Sequence, residues 1–282
     1  TTACTSGRST AGDEVVVMDG TYWSVAGTND ETNSYTTTGN KSLTPNGVAI
    51  TIRAKHKWKA IIDGTGVASG QNVFIDTNAP AGAAIRGFKV QNWTTGNNSG
   101  VNLQTTSAIR VSDMWFNNMS TGNGGAGLRI TTTGGLAVDD CLFTSCTCTG
   151  ATGGAGLYTT DISARFSRLY FDGCTTSIQM GGGARFDFAS TALFPIVGVV
   201  AVNCSATGTA NGGGIGGRNF TLAHYTAVNN TSAAATPAAD FYTTGGTNVL
   251  KNSICRSTTP ISTNAAATLQ YSYNNYASAP TG

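Results

Sequence analysis

Charge is scarce in this chain: Asp, Glu, Lys and Arg together make up 11% of its 282 residues, and there are 2 histidines. A net charge of +2 with no run of Lys and Arg leaves little footprint for a phosphate backbone, so nucleic acid is not expected as a partner. The nearest approach to a basic run is "RAKHKWK" at 53–59, whose alternation predicts an extended strand with Arg53, Lys55, Lys57 and Lys59 on one solvated side. No stretch approaches the about 20 apolar residues of a membrane span. The opening "TTACTSGRSTAGDE" has no basic start followed by an apolar segment, so no secretory leader is expected there. Paired zinc-ligand spacing is missing as well: Cys146 and Cys148 are separated by one residue with no His beside them, so no metal or other cofactor is expected. His56 and His224 have no neighbouring Cys, Asp or His in sequence, which points to structural roles.

Against these shortages stand 37 glycines and an apolar content of 40%, much of it Val, Ile, Leu and Phe in short runs. That is too much apolar material for a disordered chain, and the length is enough for a full core in one domain spanning 1–282. The surface is then made of hydroxyls and amides.

Internal repetition is the strongest signal. "FKVQNW" (88–93), "MWFNNM" (114–119), "CLFTSC" (141–146), "LYFDGC" (169–174), "VVAVNC" (199–204) and "YTAVNN" (225–230) align as short alternating runs ending in a polar turn. Their last positions recur at intervals of about 26 to 30 residues, the mark of a solenoid. A second set lies between them, "SGVNL" (99–103), "AGLRI" (126–130), "AGLYT" (155–159), "GGARF" (182–186) and "GGIGG" (213–217), giving at least two strands per coil. No segment offers helical periodicity free of Gly and β-branched residues, which excludes a leucine-rich or helical repeat. The expected fold is an all-β parallel β-helix, a single solenoid of about ten coils from length over repeat, with 1–24 as an opening coil or cap and 268–282 as a tail or cap.

Alternation then assigns faces. Phe88, Met114, Cys141, Leu169, Val199 and Tyr225 form one inward column, and Val90, Phe116, Phe143, Phe171, Ala201 and Ala227 the next. Asn92, Asn118, Ser145, Gly173, Asn203 and Asn229 fall at a bend. Cys146, Cys174 and Cys204 come into register on successive coils, as a buried thiol ladder or, if the side chains lean together, a disulfide between neighbours; seven cysteines leave at least one unpaired within the chain. Outward rows carry the candidate chemistry. Asp113, Asp140 and Arg168 share one outer position, and Asp113 with Asp140 could serve as paired carboxylates; Asp139 and Asp140, as strand neighbours, are expected to point apart. Asn102, Arg129, Tyr158 and Arg185 form a second row that could hold an acidic glycan or be solvated. Lys89, Trp115, Leu142, Tyr170 and Val200 form a third, whose large apolar members need a cover: another subunit, "STALFP" (190–195), or the tail "LQYSYNNYASAP" (269–280). Asn92, Asn118, Asn203 and Asn219 match the glycosylation acceptor pattern, as chance allows in a chain this rich in Asn, Thr and Ser.

The upstream text "AGDEVVVMDGTYW" (11–23), "GVAITIRAKHKWKAIIDGTG" (47–66) and "NVFIDTNAPAGAAIRGFKVQNW" (72–93) resembles the opening coils of the right-handed parallel β-helix superfamily that includes pectate-lyase-like proteins. The resemblance implies right-handed coils and, at the bend, an asparagine ladder. It also implies two functional classes. One is a non-catalytic structural or adhesive module similar to decoration proteins, fibres and spikes of phage virions or to bacterial surface proteins, extracellular or virion-exposed, with other subunits and polysaccharide as partners. The other is a polysaccharide lyase or glycoside hydrolase on an acidic polysaccharide, with Ca²⁺ as cofactor if a lyase. The Gly-His-Gly motif that accompanies the paired Asp of galacturonases is absent, and no complete catalytic constellation is visible, which favours the first class.

Overall fold

The computed structural model describes residues 10–23, 48–65, 74–76, 80–94, 96, 99–104, 107–131, 134–160, 163–190, 193–208, 212–233, 238–272 and 274–276. These residues form a parallel β-solenoid in which every strand pairing among them is parallel, with a register shift between Gly217 and Arg218 where Ile215–Arg218 meets the next coil. Three ribbons run along its axis. The first holds Ala137–Thr144, Arg165–Asp172, Phe194–Val202 and Phe220–Val228. The second holds Leu128–Ile130, Leu157–Thr159, Ala184–Asp187 and Ile215–Arg218. The third, of 5 two-residue strands, begins at Ser120–Thr121 and ends at Thr231–Ser232. The regular coil runs for about 6 turns rather than ten. Division of length by repeat overcounts because the N-terminal levels, such as Glu14–Val17 against Thr51–Ala54, are spaced more widely along the chain.

Both expected inward columns are buried, each member exposing 1% or less. Phe116, Phe143 and Phe171 stack face on face, with ring centroids 5.1 and 4.8 Å apart, close to the parallel strand spacing of about 4.8 Å. A core of this kind is one residue repeated along an axis, so each ring is both neighbour and template for the next. Cys146, Cys174 and Cys204 continue the interior as a ladder of free thiols; Cys141, Cys148 and Cys255 are free and buried too. Burial pushes the Cys174 and Cys204 thiols well up and Cys141 up to about 12, so they pack as small apolar groups. Cys4 lies outside the described residues.

Two columns of left-handed backbone turn the coil. The bend column Asn92, Asn118, Ser145, Gly173, Asn203 and Asn229 has φ between 52° and 62°. Asn recurs there because its short polar side chain tolerates this region better than other L-residues do. Amide laddering is the lesser reason: Asn118 Nδ2 donates to Asn92 Oδ1 at 2.9 Å, whereas Asn203 Nδ2 donates to Asp172 Oδ1 at 3.0 Å. The second column, Trp58, Gly87, Asp113, Asp140, Arg168, Gly198, His224 and Asn252, kinks the first ribbon in mid-strand. Pairing there runs from Asp139 with Ser167 to Cys141 with Leu169, so the kink residue is an insertion in the alternation. The basic segment obeys the same geometry. Its strand ends at Ala54, and Lys55–Lys59 turn, so the four cations do not share a strand face as the alternation predicted.

The glycines of the turn entering the second ribbon are required by space. A Cβ on Gly154 (φ 68°) would lie 2.3 Å from the Leu157 carbonyl oxygen, and one on Gly181 (φ 77°) 2.2 Å from that of Ala184. Near the C-terminal end the core admits a polar cluster instead of a ring: buried Asp240 accepts from Asn230 Nδ2 at 2.8 Å and from the Ser257 amide at 3.1 Å, while Tyr225 Oη donates to its carbonyl at 2.7 Å. Phe143→Ala removes the central ring of the stack and is expected to lower unfolding free energy by about 3–5 kcal/mol, more than Phe194→Ala at the partly exposed margin. Urea titration followed by circular dichroism checks the order, and equal losses would mean that the stack is not a continuous core.

Candidate functional site

The kink column decides what the first ribbon shows to solvent. Because Asp140 is left-handed, it does not alternate with Asp139, and both carboxylates meet one guanidinium: Arg168 reaches Asp140 at 2.7 Å through Nε and again through Nη2, and Asp139 at 3.4 Å. The sequence expectation that these neighbours point apart is therefore overturned by the inserted residue. Arg110 holds Asp139 from the other side at 2.6 Å, and Lys57 holds Asp113 at 2.8 Å. The structure thus gathers Asp113, Asp140 and Arg168 on one surface and adds Lys57, Arg110 and Asp139, which sequence reasoning did not place there. The Arg168 guanidinium holds the Asp140 carboxyl below the ordinary 3.8. A general acid needs a shift the other way.

Beside this network runs the third outer row. Lys89, Trp115, Leu142, Tyr170 and Val200 are register partners on successive coils, as expected. Its cover at the Trp115 end comes from a segment no sequence argument proposed, the 55–59 turn. Trp58 meets the Trp115 ring edge-on with centroids 5.5 Å apart, and its Nε1 donates to the Asp113 carbonyl at 2.7 Å. Lys89 Nζ stands 4.0 Å from the Trp115 ring centre and Lys57 Nζ 4.7 Å from that of Trp58, both within cation–π range. Trp58 shares its left-handed φ with Gly87 and Asp113 one and two coils on, and that shared interval is the signal that could have located it. Beyond Trp58 the row is open: Tyr170 is 38% exposed. Of the two proposed covers, Phe194 of the 190–195 segment packs instead on Phe188 at 5.1 Å. Ala267–Ser272 of the tail stacks on Gly246–Lys251 as a further level. Residues 191–192 and 277–280 lie outside the described residues.

Between turn and row lies a shallow groove of about 410 Å³ lined by Lys57, Trp58, Asp140, Leu142, Arg168 and Tyr170. On the other side of the Asp139 and Asp140 pair is a larger depression of about 610 Å³, bordered by Asp139, Arg165, Ser167, Phe194, Pro195 and Val197. Aromatic faces, aliphatic floor and fixed ion pairs along successive coils make an elongated surface suited to an extended ligand.

The second predicted row occupies the outside of the second ribbon. Asn102, Arg129, Tyr158 and Arg185 are direct register partners. It is less open than a bare strand face: Tyr158 is 8% exposed, and the glycine-rich turns crowd it, Gly124 so closely that a Cβ there would lie 2.9 Å from the Tyr158 ring. Burial raises the Tyr158 hydroxyl. Arg185 bonds the Thr152 carbonyl and pairs with Asp187 at 2.7 Å; Asp187 also takes Arg218 at 2.6 Å.

Other sequence candidates resolve individually. His56 Nδ1 meets Asp19 at 2.8 Å on the surface, and His224 is an exposed kink residue. Asn219 is 5% exposed, with its amide bonded to the Phe188 carbonyl, so folding withholds it from a glycosyl donor; Asn118 and Asn203 are exposed. Among the described residues no three His, Cys, Asp or Glu side chains gather as a metal site.

No protein-family model matches this chain, and no curated protein matches it.

Asp140 is more than a third exposed, so its ion pair is screened. Its contribution is present above the ordinary aspartate value and is lost as pH falls through the depressed one. Asp140→Asn is expected to change unfolding free energy by less than about 1 kcal/mol at neutral pH and to remove part of the stability lost below pH 3.8. Denaturant titrations at neutral and acid pH read this, and a larger neutral loss would make the pair structural.

Proposed function

We propose that this chain is a non-catalytic structural or adhesive β-solenoid, of the kind that decorates virions or cell surfaces, and that it meets glycan or a neighbouring subunit along the groove at Trp58 and Tyr170. Membership of the right-handed pectate-lyase-like group, an extracellular or virion-surface location and a particle or surface assembly as partner belong to this reading. The observation that carries it is the state of the carboxylates. Asp113, Asp139 and Asp140 are each held by a cation, and Asp140 is shifted away from proton donation, while aromatic and aliphatic side chains beside them remain open. An arrangement with its charges already matched offers rings and hydroxyls to a ligand rather than a reactive acid and base.

A second reading, a lyase or hydrolase on an acidic polysaccharide, has one observation in its favour: Asp139, Asp140 and Arg168 converge. Its Arg-row version would use Arg129 and Arg185, with Ca²⁺ if a lyase.

A panel of neutral and acidic polysaccharides, assayed for unsaturated uronate absorbance, new reducing ends and binding, separates the two. Binding without turnover, weakened about tenfold or more by Tyr170→Ala or Trp58→Ala, is the expected result. Turnover lost on Asp140→Asn or Arg129→Ala would replace the adhesive reading with the enzymatic one.

A further inference from the structure

Of the carboxylates among the described residues, Asp240 is sealed most deeply in the core, at 0% exposure, and no cation faces it. Its partners are uncharged donors: Asn230 Nδ2 at 2.8 Å, the Ser257 amide at 3.1 Å, the Ser257 hydroxyl and the Arg256 amide. The Arg256 side chain itself is exposed. The other titratable groups packed around it are Tyr225, Cys204 and Cys255, and burial raises all three, so they stay neutral. Asp240 is therefore the member of this cluster that changes charge below neutral pH.

Its place in the fold gives that charge leverage. Beyond Cys204 the interior ladder changes from thiol to amide, and Asn230 ties several levels together: its Oδ1 accepts from the Cys204 amide at 2.8 Å, its Nδ2 also donates to the Ala201 carbonyl at 2.9 Å, and its own amide donates to Ser257 Oγ at 2.9 Å. The Asp240 backbone joins the same levels, donating to the Pro260 carbonyl at 3.0 Å and accepting from the Ile215 amide at 2.9 Å and from Tyr225 Oη at 2.7 Å. One carboxylate thus stands where the last coils close on the coil of Tyr225.

We propose that Asp240 is an acid-set latch on the C-terminal coils: gain of one proton tightens the closure of residues 238–272 on the coil before them, and loss of that proton loosens the same segment. Ser257 Oγ, with one lone pair engaged by the Asn230 amide, has a second with which to accept the carboxyl proton. Burial outweighs the four donors and lifts Asp240 above the ordinary 3.8. A carboxyl easier to protonate in the fold than in the unfolded chain adds stability that is complete below its ordinary value and is lost as pH rises through the raised one.

The test follows the Asp240 carboxyl carbon of the full chain by nuclear magnetic resonance as pH falls, and amide protection factors at two pH values. The carboxyl is expected to titrate above 3.8. Between about pH 7 and pH 4.5, protection at Phe241 and Cys255 is expected to rise about tenfold for each pH unit by which Asp240 is raised. Protection at Phe143 and Phe171 is expected to stay level, and Asp240→Asn to abolish the rise. Titration of Asp240 at or below 3.8 would overturn the proposal. So would the same rise in Asp240→Asn, or an equal rise at Phe143, which would make the proton act on the whole solenoid. The carboxyl titration needs no variant, so the proposal stays testable if Asp240→Asn does not fold.

Discussion

Every coil of this protein must return its backbone to the register of the coil before it, because the hydrogen bonds that join the coils run along the axis from one strand to the strand a full turn later. That closure is a backbone problem before it is a side-chain one. It is solved by residues with positive φ at fixed places in each coil, Asn at the bend, Gly before the second ribbon, and a mixed column at the kink of the first. Once closure is met, like residues fall on like, and a phenylalanine at one level finds a phenylalanine a strand spacing away.

The same constraint shapes the surface. The kink inserts a residue into the alternation, so Val138 and Cys141 both face the core while Asp139 and Asp140 both face out. Two adjacent carboxylates then need cations, and Arg110 and Arg168 arrive from the coils on either side. Lys57 and Trp58 reach the same surface because the coil that precedes it turns after Ala54. Neutralised charge and unfilled apolar surface are thus neighbours, which is the physical content of a binding face without a reactive acid. The second ribbon lacks that balance, since one aspartate serves two arginines and a third has none.

Much of this was legible in the linear order of residues. The repeat of about 26 to 30 residues specified a parallel stack, and period-two alternation specified the inward columns, because a strand has two faces and burial selects one. The rows Asn102, Arg129, Tyr158, Arg185 and Lys89, Trp115, Leu142, Tyr170, Val200 followed from the same register. Alternation could not show where it is broken. A left-handed Asp140 looks like any strand residue in sequence, and within "KHKWK" only the interval from Trp58 to Gly87 and Asp113 separates a turn that carries Trp58 across a sheet from a solvated strand.

By itself, then, the sequence determined the coil, its period and the residues that fill its core, since those depend on spacing and hydrophobicity along one chain. Tertiary structure alone decided which charges meet, which rings stay open and which guanidinium goes unmatched, because those outcomes depend on backbone insertions and on turns from neighbouring coils. Arg129 and Arg185 are alike in a row of letters. They differ because Asp187 and the Thr152 carbonyl are within reach of one and not of the other.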